Sequence, residues 1–289
     1  MEFGSFIEQM RPGLTQAQGF QEMLRHVDAA EAWGLDAAWL GEIHCNPTRS
    51  VLSAPLVMAG MIFGRTRRLR VGTAVHLLPL NHPLRIAEEV ATLDHVSEGR
   101  FDFGVGRSGN PRAYDAYGIP YGESQARFRE ALEIVRQAWT GEAFKYQGQF
   151  YRIETTAVSP KPYQTPHSPI RMAATSAETF GLVARLSLGV LVGLRAMDIA
   201  ELHGHLKDYR AAWQQAGHSG RGSVHLRIPL YAASTEHAAR EEPRETITYY
   251  MRRQAEITRQ PAGRAGAGSA AERLSRAAEL ERLTYDEIL

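Results

Sequence analysis

The feature that most constrains the fold is a repeated switch of hydrophobic period, from strand-like alternation to helical spacing and back, along most of the chain. Glu2 to Glu8 reads as a strand; Gln18 to Trp33 then carries Phe20, Leu24, Val27 and Ala30 at helical spacing before Gly34 stops it. The switch recurs as strand Ala37 to Ile43 and helix Ala54 to Phe63, then strand Leu69 to Leu77 and helix Leu84 to Val96. Phe101 to Gly106 is the fourth strand, Asn110 to Gly118 carries loop-forming residues, and Gln125 to Trp139 is a helix with Phe128, Leu132, Val135 and Trp139 on one face. Residues near 140–168 break the rhythm: Phe150 to Val158 alternates, and Pro160, Pro162 and Pro166 mark an extended loop, an excursion. Strand Ile170 to Ala174, helix Glu178 to Leu186, strand Gly189 to Leu194, helix Asp198 to Gln215 and strand Ser223 to Ala232 resume the alternation.

Strands alternating with helices imply parallel pairing, and this many in series favour one α/β domain over 1–289 with a TIM-type (β/α)8 barrel, an open doubly wound sheet being the alternative. Pro261 to Ala271 is low in complexity, so a mobile segment is expected near 258–275, and Glu272 to Leu289 suits a helix. No eighth strand reads in the sequence, so the last strand and helix are expected to be missing, or the barrel open.

Composition excludes several classes of function. The 33 basic and 32 acidic residues leave a formal charge of +1, which gives no general attraction to nucleic acid or membrane. A first stretch without a basic leader or apolar core, and a single cysteine, Cys45, point to the cytoplasm. The eleven histidines show no paired ligand spacing, so no metal is expected.

In such a barrel the reactive groups follow the carboxyl ends of strands. That rule gathers Glu42 and His44 after the second strand, Ala74 to His76 at the third, Gly106 and Arg107 after the fourth, and Thr175 to Thr179 after the fifth. Gly104-Val105-Gly106-Arg107-Ser108-Gly109 formally fits a dinucleotide-binding pattern, but a loop rather than a helix is expected to follow it. The hydroxyls and free amides of Thr175, Ser176 and Thr179 open a helix, an anion site that Arg107 would complete as a phosphate clamp. Taken singly, Ser176 reads as a helix cap with Thr179 completing it, Arg107 as a surface ion-pair partner, and His44 equally as a buried histidine or a proton-transfer group.

The run from Gly72 to Arg85, including Thr73-Ala74-Val75-His76-Leu77-Leu78-Pro79, together with Ala87 to Asp94 and Ser97 to Arg107, resembles the bacterial luciferase-like flavin monooxygenases. Phe3-Gly4, Gly34 to Glu42 and Ala173 to Thr179 are weaker matches, and the resemblance fades beyond Gly193. It implies a barrel binding reduced flavin mononucleotide (FMN), or in some relatives an 8-hydroxy-5-deazaflavin coenzyme. The phosphate would lie on Arg107, Ser176 and Thr179, with Thr175 and Gly106 beside it and a non-proline cis peptide at Ala74-Val75 behind the ring. Where the family has Glu-His-His, this chain reads Glu42-Ile43-His44; the usual proton-transfer histidine aligns with Ile43, and strand alternation does not hand its role to His44.

The activity implied is oxygenation of a small organic substrate by reduced flavin and molecular oxygen, with a separate reductase supplying the flavin. Deazaflavin-dependent hydride transfer and a non-catalytic flavin-binding or dimerising subunit are the alternatives. The helix Pro55 to Phe63 is apolar around most of its circumference, which suits burial against a second copy.

Overall fold

The computed structural model describes residues 1–8, 11, 13–155, 157–194, 197–259 and 267–288. Its strands are β1 (Gly4–Ile7), β2 (Ala37–Leu40), β3 (Arg70–Thr73), β4 (His76–Leu77), β5 (Phe101–Gly106), β6 (Lys145–Gln147), β7 (Arg152–Glu154), β8 (Ile170–Ala173), β9 (Gly189–Gly193) and β10 (Val224–Arg227). The helices that alternate with them are α1 (Gln16–Ala32), α2 (Pro55–Arg65), α3 (Pro83–Val96), α4 (Pro111–Ala116), α5 (Ser124–Trp139), α6 (Ala177–Arg185) and α7 (Ile199–Gln215). Helices α8 (Glu236–Glu241), α9 (Arg244–Arg259), α10 (Ala267–Arg282) and α11 (Tyr285–Ile288) follow.

All pairings of the main sheet are parallel, in the order β1-β2-β3-β5-β8-β9-β10, with β4 also on β5. This is the near-closed barrel of an α/β fold. Strand β5 shows how the layers form. Phe101 and Phe103 turn outward, where Phe103 meets Trp139 of α5 and Phe101 meets Phe63 of α2. The alternate residue Asp102 turns inward, and Arg70 and Arg171 donate to its carboxylate at 2.9 and 2.7 Å. Trp39 fills the interior above this ion cluster, with the Arg171 guanidinium 5.8 Å from its ring. The indole needs a glycine opposite: a Cβ on Gly72 would stand 2.3 Å from it.

The two edge strands, β1 and β10, are not hydrogen-bonded to each other among the described residues, yet side chains span the gap. Arg227 pairs with Glu8 at 3.2 Å and lies 3.7 Å from the Phe6 ring centre. A cleft of about 270 Å³ runs here, lined by Phe6, Glu8, Met23, Arg227 and Tyr250 of α9. No eighth strand follows β10 among the described residues; the chain turns helical instead, as expected of Glu272 onward.

Several expectations need correction. The seventh strand is Val224–Arg227 rather than Ser223 to Ala232, because nothing pairs with the apolar residues after Arg227. The second ends at Leu40, so Glu42 and His44 lie beyond it and strand alternation does not govern them. The third is interrupted, and residues 111–116 of the expected loop are helix α4, started by the Asn110 cap and Pro111. The excursion is a small antiparallel hairpin, β6 with β7. Within the segment expected to be mobile, α9 and α10 take up both ends; residues 260–266 lie outside the described residues.

Candidate active site

The mouth of the barrel is built around the break between β3 and β4. From the pair Gly72↔Asp102 to the pair His76↔Val105, four steps on one strand face three on its neighbour, a one-residue bulge. The Thr73 hydroxyl bridges the gap, donating to the Gly104 carbonyl at 2.7 Å and accepting from its amide at 3.0 Å. The peptide between Ala74 and Val75 is cis, as the sequence resemblance implies. Ala74 and Val75 are half-buried where the neighbouring strand residues are buried, so they form an apolar floor open to the mouth. Gly106 makes room for that floor, since a Cβ there would lie 2.4 Å from Val75 Cγ2.

Arg107 follows directly. It forms no ion pair among the described residues, unlike the surface partner that one reading of the sequence expects; its guanidinium donates to Tyr121 Oη at 3.5 Å and Ser124 Oγ at 3.3 Å. The register Val105↔Met172 sets Arg107 one strand away from the turn after β8. There Ser176 occupies the N-cap of α6 but makes no capping bond. Its hydroxyl meets the Thr179 hydroxyl at 2.9 Å, and Thr175 and Ser176 are exposed. The simple cap reading of Ser176 therefore fails. Arg107 and the hydroxyl pair share one mouth but make no direct contact with each other. What they present is an unneutralised guanidinium beside hydroxyls at a helix amino terminus, a donor set suited to a phosphate.

On the other side of the floor, Glu42 is buried between two imidazoles. Its Oε1 lies 2.7 Å from His44 Nε2 and its Oε2 2.6 Å from His76 Nδ1, and the Leu77 amide donates to Oε2 at 3.2 Å. Burial opposes ionisation of Glu42, but His76 and then His44 outweigh it and hold the carboxyl at about 2. The His76 approach is off the hydrogen-bonding direction, and its Nε2 has no partner among the described residues. Nε2 of His44 is turned to a carboxylate, to which it can only donate, so in the neutral imidazole Nδ1 is the acceptor; Tyr117 Oη is 3.3 Å from it. Glu42 and His44, singled out from the sequence, are thus brought together, away from Ser176 and Thr179.

His76 was gathered at the mouth from the sequence without a role, and Tyr114 and Tyr117 were not legible as site residues. His76 carried one signal, a second imidazole at the end of a strand adjacent to that of Glu42. The two tyrosines carried none, because their segment reads as a loop. Tyr114 is buried, and its hydroxyl donates to the Arg107 carbonyl. Burial, opposed in part by Arg107, pushes that phenol far up. Cys45 is exposed within the loop after β2, with a positive φ of 53°, and no base among the described residues pairs with it as a nucleophile's partner would.

Comparison with known proteins agrees with this architecture. The family described as luciferase-like monooxygenase matches residues 1–288. The protein y4vJ of Sinorhizobium fredii is 32% identical over 187 residues, 64% of this chain and 53% of that protein. The oxygenase component of a flavin-dependent trigonelline monooxygenase from Acinetobacter baylyi is 26% identical over 257 residues, 86% and 70% of the two chains. The crystal structure of monooxygenase RslO1 from Streptomyces bottropensis superposes with a TM-score of 0.79 at 28% identity, covering 100% of this chain and 86% of that one. The chain spans about half the length of the first curated relative it matches.

Proposed function

The chain belongs to the luciferase-like monooxygenase family, and from that membership we propose that it is the oxygenase component of a two-component flavin monooxygenase acting on a small organic substrate. The observation that carries this reading is Arg107, a half-buried cation with no acidic partner among the described residues, one strand away from the uncapped Ser176 and Thr179 hydroxyls. Arg107, Thr175, Ser176 and Thr179 would hold the phosphate of reduced FMN, and Ala74, Val75 and Gly106 would back its ring. When bound, the flavin supplies the electrons that activate molecular oxygen. The chain supplies the rest: the apolar floor keeps water from the ring, the clamp fixes its orientation, and the Glu42–His44 pair holds a proton acceptor at Nδ1.

A separate reductase delivering reduced flavin fits this scheme, as the name of the Acinetobacter baylyi relative implies for that protein. No helix among the described residues is long and apolar enough to cross a membrane; the cytoplasmic location we propose rests on the single cysteine. We also propose a homodimer through α2, whose Val57 and Met61, one turn apart, are 76% and 54% exposed. A monomer by sedimentation would contradict that pairing.

Turnover with reduced FMN, labelled molecular oxygen and a substrate panel tests the function. Label appearing in an organic product is the expected result. Hydride transfer from a reduced deazaflavin without label, or release of peroxide alone with every substrate, would contradict it.

A further inference from the structure

We propose that Tyr117 is a catalytic residue of this site, passing protons between the substrate and His44, with Glu42 as the buried carboxylate that holds His44 in place. The inference rests on the flavin reading of the mouth. It starts from α4, the short helix after β5. Tyr114, on this helix, is tied by its hydroxyl to the Arg107 carbonyl, and Asn110 caps the helix start. One turn further, Tyr117 is therefore carried from the end of β5 across to the end of β2. Its hydroxyl stands 3.3 Å from His44 Nδ1, and the two rings meet edge to face at 5.2 Å.

The three groups form a gradient of exposure. Tyr117 is 49% exposed, the His44 side chain 9% and the Glu42 side chain 1%. Such a gradient connects a solvent-facing hydroxyl to a carboxylate that water does not reach. The order of hydrogen bonds fixes direction as well. Glu42 Oε1 accepts the hydrogen bond from His44 Nε2–H, so in the neutral imidazole Nδ1 offers a lone pair toward Tyr117. Burial first, and then the Glu42 carboxylate and the neighbouring Cys45, push the Tyr117 phenol above its ordinary range, which keeps it protonated and able to donate. Other charged or titratable groups around this relay include His76, against Glu42, Tyr114, which feels the Glu42 charge, and Arg112, which donates to the Cys45 carbonyl at 3.4 Å.

The step balances without any further reagent. As Tyr117 Oη takes a proton from the substrate, its own O–H bond breaks and that proton passes to His44 Nδ1. The imidazolium formed faces the Glu42 carboxylate, which balances its charge and takes no proton. Run in reverse, the same path delivers a proton to the substrate. Ile43 stands where the resemblance expects a proton-transfer histidine, and this relay supplies the missing function from the opposite side of His44.

The test combines a resonance measurement on the cofactor-free protein with kinetics. Nitrogen-15 spectra of the histidines should show His44 as a single Nε2–H tautomer; Y117F should shift its Nδ1 resonance and keep the tautomer, and E42Q should mix the tautomers. With reduced FMN, Y117F should retain flavin affinity and KM while kcat falls by about 10²-fold. An Nδ1 resonance that Y117F leaves unmoved, or an unchanged kcat, overturns the relay. Failure of the wild-type protein to bind flavin overturns the functional reading instead, and the spectra judge the His44 contacts independently.

Discussion

Glu42 shows how a single buried carboxylate organises the mouth. A group of this kind is stable in the folded chain only because His44, His76 and the Leu77 amide face it. Its folded value of about 2 lies below the ordinary carboxyl value of 4.5, so the stabilisation it contributes is complete above that upper value and is lost as pH falls through the lower one. Urea unfolding followed from neutral pH downward should therefore show an acid limb between these limits, and E42Q should flatten it. An acid limb of the same steepness in E42Q would show that other carboxylates set it. Arg107 is the opposite case, a charge whose partners among the described residues are hydroxyls only and which is therefore available to a ligand.

At the level of elements, legibility followed local chemistry. Phe101 to Gly106 was readable to the residue because an apolar run with inward Asp102 and glycines is bounded by Gly99 and Arg107. Helix α1 was readable too, although the expected Gln18 to Trp33 starts two residues late and ends one late against Gln16–Ala32, and misses the Thr15 cap with Gln18 as reciprocal partner. Helix α4 does not read in the sequence for a physical reason: Asn110-Pro111 has the composition of a breaker, whereas in the fold a capping side chain and a proline at the first helical position begin a helix. That miss hid Tyr114 and Tyr117, and with them the contact to His44, which lies 73 residues away in sequence. The overlong readings of β2 and β10 have a common cause, since apolar alternation does not say where partner strands stop. The interior of the barrel supplies an element-level prediction. Gly72→Ala places a Cβ against Trp39, and it should lower stability by about 1–3 kcal/mol with the denaturant slope unchanged. A neutral outcome would mean that the indole moves aside freely.

For the whole molecule, the barrel is a sheet with two edges held near each other by side chains rather than by a ladder. Glu8 sits between Arg49 and Arg227, so β1, the loop after β2 and the end of β10 are joined through one carboxylate. The mouth they surround carries the proposed phosphate clamp on one side and the Glu42 cluster on the other, with the Ala74–Val75 floor between them. That division is the central claim: one half of the mouth binds a flavin and the other handles protons. Its most direct test is an anaerobic titration with reduced FMN and reduced deazaflavin, wild type beside Arg107→Ala. The account predicts preference for reduced FMN and an affinity that falls by about 10 to 100-fold in the variant, the worth of a hydrogen-bonded charge. Binding that prefers deazaflavin, or an affinity indifferent to Arg107, would contradict it.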